Sequence, residues 1–147
     1  MKKSIVIFTG IALLSLFVAN TFGIGFNTKN GNGIAFHQGT WSEALASAKK
    51  ENKLIFLDIS ASWCPPCRML KARTFPNSEV GTFFNANFIN VEVDGEKGEG
   101  VGLAHKYRIM GYPSLIFVNG NGEVVAQTAG YHNPKEFVEL GKKVIQR

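Results

Sequence analysis

Trp63-Cys64-Pro65-Pro66-Cys67 is the most informative stretch of the sequence, because Cys64 and Cys67 are the only two cysteines of the chain and only two residues separate them. The motif follows residues 54–59, an apolar run typical of a buried strand, and precedes residues 68–73, which are typical of a helix. Cys64 is therefore predicted at a helix N-terminus, where unpaired backbone N–H groups and the helix dipole lower a thiol pKa. A thiolate in that position is the nucleophile that disulfide exchange requires.

Two other uses of such a cysteine pair are less favoured. A structural zinc site needs four ligands, and beyond the cysteines the chain offers His37, His105 and His132, none of them paired at a ligand spacing. A purely structural disulfide is disfavoured because closing a loop of two residues removes little entropy from the unfolded chain. The pattern therefore favours a redox-active dithiol and no metal site.

The N-terminal region predicts export. Lys2 and Lys3 precede the apolar residues 5–18, and the next charged residue is Lys29. This pattern is typical of a secretory signal peptide or of an uncleaved N-terminal membrane anchor, which we place at residues 1–23. The rest of the chain is then expected in the periplasm or another extracytoplasmic space, either secreted or tethered.

The remaining sequence predicts a linker over residues 24–39 and one domain over residues 40–147. Without Lys2 and Lys3 the chain has 14 basic and 11 acidic residues, a net charge of +3. This excess is small and scattered, so nucleic acid is not an expected partner. No glycine-rich nucleotide motif is present, so no nucleotide or flavin cofactor is expected. We expect a monomer.

The domain alternates helical and strand patterns. A capping box at Thr40 opens a first helix, and Asn133 caps the last one. Between them the sequence predicts, in order, a strand at 54–59, a helix after Cys64, a helix at 78–87, a strand at 88–93, a loop at 94–100, a helix at 101–107 and a hairpin at 114–128. This order predicts an α/β fold, a central mixed sheet with helices on both faces and an extra N-terminal helix.

The cysteine motif after a strand, together with Gly111-Tyr112-Pro113-Ser114 at the start of a later strand, resembles the thioredoxin superfamily. Residues 57–64 and the added N-terminal helix resemble the C-terminal periplasmic domain of DsbD-type thiol:disulfide interchange proteins. The resemblance implies a thioredoxin fold and a protein-disulfide oxidoreductase. Its expected partners are protein disulfide substrates and an electron donor in the membrane.

The resemblance also assigns roles to residues. Cys64 is implied to be the exposed attacking thiolate and Cys67 the more buried resolving thiol. Asp58 has apolar neighbours in its strand, so we expect it to be buried with a raised pKa, where it can accept the proton of Cys67. Pro113 should follow a cis peptide bond. The residues expected to bind substrate are Trp63, Pro66, Tyr112, Pro113 and Gly130.

Three residues depart from the family pattern. Pro65 removes a backbone donor near the thiolate, which favours the disulfide form and argues for a reductant. Glu92, if it faces Asp58, would raise the pKa of that carboxyl. The resemblance to the DsbD-type domain implies a carboxylate at the position that Lys71 occupies, so this second acid is missing from the chain. The expected function is reduction of protein disulfides outside the cytoplasm. The alternatives are an oxidant that donates its disulfide and a metal- or peptide-binding module.

Overall fold

The structure is a computed structural model that describes residues 33–146. The predicted signal or anchor at residues 1–23 and the first part of the predicted linker lie outside these residues. In chain order the elements are α1 (Trp41–Glu51), β1 (Leu54–Ser60), α2 (Pro65–Met69), a π-helical segment (Leu70–Thr74), α3 (Ser78–Asn87), β2 (Phe88–Asp94), α4 (Gly98–Lys106), β3 (Ser114–Val118), β4 (Val124–Ala129) and α5 (Pro134–Ile145). Within the described part of the chain, no helix is long and apolar enough to cross a membrane.

The four strands form one mixed sheet in the order β2-β1-β3-β4. Strand β1 pairs in parallel with β2 and antiparallel with β3, and β4 pairs antiparallel with β3 as the second arm of the hairpin. The predicted mixed sheet is confirmed. Because β1 lies between two strands, its central residues are covered on every side and carry the site that follows it.

Local sequence signals explain where the helices begin. Thr40 and Glu43 form the predicted capping box of α1, and Asn133 and Glu136 form an equivalent box at the start of α5. Pro134 occupies the first turn of α5, where a missing N–H costs nothing. These caps satisfy backbone groups that would otherwise be left without partners.

The core has one layer on each face of the sheet. Alternate residues of β1, such as Ile55 and Leu57, pack against α1 and α4, whereas Phe56 on the other face packs against α3, α5 and the π-helical segment. The second layer is largely aromatic, with Phe75, Phe84, Phe88, Phe117 and Phe137 buried together. Helices therefore cover both faces, as predicted.

Three elements differ in detail from the sequence-based expectation. Helix α4 begins at Gly98 rather than at residue 101, because the end of the predicted loop already winds into the helix. The helix after Cys64 changes after Met69 into a π-helical segment, in which the Phe75 N–H donates to the carbonyl of Leu70. Within the predicted linker, Phe36 makes one isolated bridge to Asn90.

Candidate active site

The two cysteines form a disulfide at the start of α2. Their sulfur atoms are 2.07 Å apart, and Cys64 is the N-cap residue of the helix, as predicted. The sulfur of Cys64 accepts a hydrogen bond from the backbone N–H of Cys67 at 3.2 Å. The first two helical residues, Pro65 and Pro66, have no N–H. The Cys67 amide is therefore the donor that the motif itself offers to the Cys64 sulfur.

The expected difference in exposure between the two cysteines is not observed. Cys64 and Cys67 are both 2% exposed, so the expectation of an exposed Cys64 is wrong for the disulfide form. The physical reason is that the disulfide holds the Cys64 sulfur against Cys67, while Ala61 and Tyr112 pack against the pair. In this form the disulfide is shielded by the residues of its own motif, by Ala61 and by Tyr112.

Asp58 lies in the middle of β1 and is 1% exposed. Its Oδ1 atom is buried without a hydrogen-bond partner. Burial is the main cause that raises the pKa of Asp58 from 3.8 to about 7. The positive charge of Lys71 and a hydrogen bond from Ser60 lower this pKa, whereas the negative charge of Glu92 raises it. The predicted burial and raised pKa of Asp58 are both confirmed.

Glu92 is the strand partner of Asp58. The two residues lie directly opposite each other in the parallel β1–β2 pair. Glu92 also forms an ion pair with Lys71, with 2.9 Å between Oε2 and Nζ. Glu92 thus faces Asp58, which was the condition for the predicted interaction, and its negative charge raises the pKa of Asp58 as expected. Lys71 therefore places a positive charge next to Glu92, at the position where the resemblance to the DsbD-type domain implies a second acid.

The loop before β3 carries Tyr112, which packs against the cysteine pair. We call the surface between this loop and the disulfide the groove. The Tyr112–Pro113 peptide bond is cis, as predicted. The carbonyl of Pro113 accepts the N–H of Gly130 at 3.1 Å. Gly130 has a φ of +87°, a left-handed conformation that favours glycine, and a Cβ atom placed there would meet nothing within 4 Å. The groove is therefore open beside Gly130.

Comparison with known proteins agrees with this geometry. The thioredoxin-like domain family matches residues 41–145. The chain belongs to this family. The chain is 38% identical over 90 residues to thioredoxin H4 of Arabidopsis thaliana, covering 61% of this chain and 71% of that protein. Over 80 residues the chain is 31% identical to the thiol:disulfide interchange protein DsbD 2 of Pseudomonas aeruginosa, covering 54% of this chain but only 14% of that protein.

Solved structures show the same fold. A candidate disulphide-isomerase from Bacteroides thetaiotaomicron is 41% identical, with a TM-score of 0.68, over 78% of this chain and 94% of that one. The oxidised C-terminal domain of DsbD from Neisseria meningitidis is 25% identical, with a TM-score of 0.60, over 74% of this chain and 98% of that domain. These matches support the predicted resemblance to the DsbD domain, and they place the chain among the thioredoxin-like disulfide oxidoreductases.

Trp63 and Pro66 are the two other residues that were predicted to bind substrate. The indole ring of Trp63 is 61% exposed and packs edge-on against Tyr112, with 6.0 Å between ring centroids. Pro66 is half-buried on the first turn of α2. The fold therefore packs Tyr112 against the disulfide and Trp63 against Tyr112, while Pro66 lies between the two cysteines and Pro113 accepts a hydrogen bond from Gly130.

Sequence reasoning missed two residues that support this region, Glu96 and Thr74. Glu96 accepts a hydrogen bond from the Trp63 indole N–H at 3.0 Å. The buried Thr74 hydroxyl donates to the carbonyl of His132 at 2.6 Å, and the His132 ring lies 3.2 Å from the Gly130 carbonyl. These partners are 33 and 58 positions apart in the chain, so no local pattern could have paired them.

Proposed function

We propose that this thioredoxin-like protein reduces protein disulfides outside the cytoplasm by dithiol exchange through Cys64 and Cys67. The observation that carries the proposal is the combination of a helix-capping cysteine in a Cys-x-x-Cys pair with a buried carboxyl on the preceding strand, Asp58, whose Oδ1 has no hydrogen-bond partner. A surface disulfide would not need an acid kept at a pKa of about 7 on the strand that leads into it.

The reaction begins with the reduced protein. The Cys64 thiolate attacks one sulfur of a substrate disulfide, and the other substrate sulfur leaves as a thiolate that takes up a proton. Cys67 then loses its proton to Asp58 and attacks the Cys64 sulfur in the mixed disulfide. The second substrate sulfur leaves and is protonated, so the substrate gains two electrons and the Cys64–Cys67 disulfide forms.

The groove gives this chemistry a place for an extended peptide. Tyr112 packs against the disulfide, the exposed Trp63 lies against Tyr112, and Gly130 leaves open space where it is hydrogen-bonded to Pro113. A substrate chain can pair with backbone groups there and place its own disulfide against the Cys64 sulfur. The proposed substrates are accordingly protein disulfides in extended or flexible segments.

The proline pair supports the proposed direction of exchange. Because Pro65 and Pro66 contribute no N–H, the Cys64 thiolate receives less stabilisation than it would from a helix start with free amides. A less stabilised thiolate makes the disulfide form more favourable and the dithiol a better reductant. Such a reductant has to be recharged, and the N-terminal signal or anchor pattern supports an extracytoplasmic place with an electron donor in the membrane as partner.

The test is the equilibrium reduction potential of the Cys64–Cys67 pair, measured by titrating the purified protein against glutathione or dithiothreitol buffers. A potential near or below roughly −220 mV supports the reductant. A potential near roughly −120 mV identifies an oxidant instead and contradicts the argument from the prolines. Cys64→Ser should abolish exchange, whereas Cys67→Ser should trap a mixed disulfide with substrate.

A further inference from the structure

An ion pair lies in the same cleft as Cys67. Lys71 and Glu92 line a cleft of about 260 Å³ that also includes Cys67, and they bridge it with a contact of 2.9 Å. The same two side chains line the larger cleft beneath residues 33–38. Their side chains are 47% and 38% exposed, so solvent and solutes reach the pair directly.

The sheet register ties this pair to Asp58. Residues directly opposite in neighbouring strands project from the same face of a sheet, so Glu92 and Asp58 point to the same side. That side is the one covered by the π-helical segment, which carries Lys71. Asp58 is buried with an unpartnered Oδ1, while the two opposite charges next to it remain at the surface.

Few other charged groups face this region. Helix α2 contributes Cys67 and Arg68 to the cleft, and β2 adds Asp94, which is paired with Lys97 at 3.5 Å. Strand β3 places the apolar Leu115 opposite Asp58, and residues 33–38 contribute the uncharged Gln38 to the neighbouring cleft. Helices α3 and α5 present apolar side chains to this face of the sheet. Lys71 and Glu92 are therefore the charges with the most direct influence on Asp58.

We propose that Lys71 and Glu92 are positioning residues that control the protonation of Asp58 through two opposed charges. The proposal rests on the proposed function, in which Asp58 accepts the proton of Cys67. A positive charge beside a buried carboxyl favours the carboxylate, and a negative charge favours the acid. While the ion pair is closed, the two charges act on Asp58 in opposite directions, and the burial of the carboxyl remains the main influence on its protonation.

Opposed charges make a prediction that a merely structural salt bridge does not. Lys71→Met leaves Glu92 uncompensated and should move the titration midpoint of Asp58 upward. Glu92→Gln leaves Lys71 uncompensated and should move the midpoint downward. The double variant removes both charges, so its midpoint should lie between those of the two single variants. Each single change is expected to be about half a pH unit or more.

The experiment follows the side-chain carboxyl of Asp58 by ¹³C NMR across pH in the oxidised full-length protein, in which the disulfide cysteines do not titrate. Lys142→Met and Glu139→Gln serve as matched controls, because they break a comparable surface ion pair of 2.8 Å on α5. Those controls change the net charge by the same amount and should leave the midpoint unmoved. Lys71→Arg keeps the charge and should keep the wild-type midpoint.

The proposal is overturned if the two single variants move the midpoint in the same direction, or if neither moves it more than the α5 controls do. Opposite shifts that shrink in about 1 M salt support it, because the charges are partly exposed and therefore screened. The pH profile of dithiol exchange is then measured on the same variants. If the Asp58 midpoint moves and the exchange profile does not follow, the control by Lys71 and Glu92 stands, and it is the role of Asp58 in the proposed reaction that fails.

Discussion

Phe56 and Asp58 are two residues apart on the same face of β1, yet their surroundings differ completely. Phe56 is fully buried among aromatic rings, with centroids 5.2 to 6.1 Å from those of Phe75, Phe84, Phe117 and Phe137. Asp58 is buried to almost the same extent, but its Oδ1 has no partner. The same removal from water stabilises the ring and destabilises the carboxylate. The aromatic cluster around Phe56 thus stabilises the fold, whereas Asp58, nearer the other end of β1, is the proposed proton acceptor.

The largest expected effect on stability is at the aromatic end. Phe56→Ala should lower the free energy of unfolding by about 3–5 kcal/mol, because it removes a buried ring and leaves a cavity between four others. Urea denaturation of the oxidised protein measures this loss. The loss should be equal at pH 5 and pH 8.5, since no titrating group is involved. Val101→Ala on the surface of α4 is the control and should change stability by about 0.5 kcal/mol or less.

Asp58→Asn should have the opposite sign and depend on pH. The pKa of Asp58 is raised from 3.8 to about 7, so its contribution to stability is fully present below the unfolded value and is lost as the pH rises through 7. Above pH 7 the buried carboxylate then costs up to roughly 4 kcal/mol, which the neutral amide avoids. Denaturation at pH 4 and pH 8.5 should show a gain only at the higher pH. An equal change at both values would contradict the assignment of the raised pKa.

Packing is the next point of difference between the two ends. Gly141 of α5 lies against the aromatic cluster, and an added Cβ would come within 2.6 Å of the Phe83 ring. Gly141→Ala should therefore destabilise the protein by about 1–3 kcal/mol, although alanine favours a helix. Gly102→Ala in α4 is the matched control, because a Cβ there meets nothing within 4 Å and should stabilise by up to about 1 kcal/mol. Thermal unfolding of both variants decides the sign.

The smallest effect on stability is expected at Asn133, the N-cap of α5. Asn133 caps α5 close to His132, while the helix itself packs on the aromatic cluster through Phe137. Asn133→Ala should cost about 1 kcal/mol, and Asn133→Asp should retain most of the stability, because it keeps a side-chain oxygen for the cap. The rate of dithiol exchange should be unchanged in both. A slower exchange at equal foldedness would show that the cap also orders the groove.

Much of the fold could be predicted because its signals are local. The caps at Thr40 and Asn133, the hairpin turn and the strand before Cys64 each depend on a few neighbouring residues. The cis peptide bond before Pro113 and the burial of Asp58 were also expected, the first from the resemblance to the thioredoxin superfamily and the second from the apolar neighbours of Asp58. The start of α4 was misplaced because Gly98 and Gly100 are typical of loops, and the fold still draws them into a helix.

Spacing and periodicity act between near neighbours, so they already predict one dithiol at a helix start within an α/β domain. The pairing of distant segments is what sets Glu92 opposite Asp58 and brings Lys71 against Glu92. A slip of one residue between β1 and β2 would turn Glu92 to the other face of the sheet. That register depends on packing between segments more than thirty residues apart, which no local pattern records.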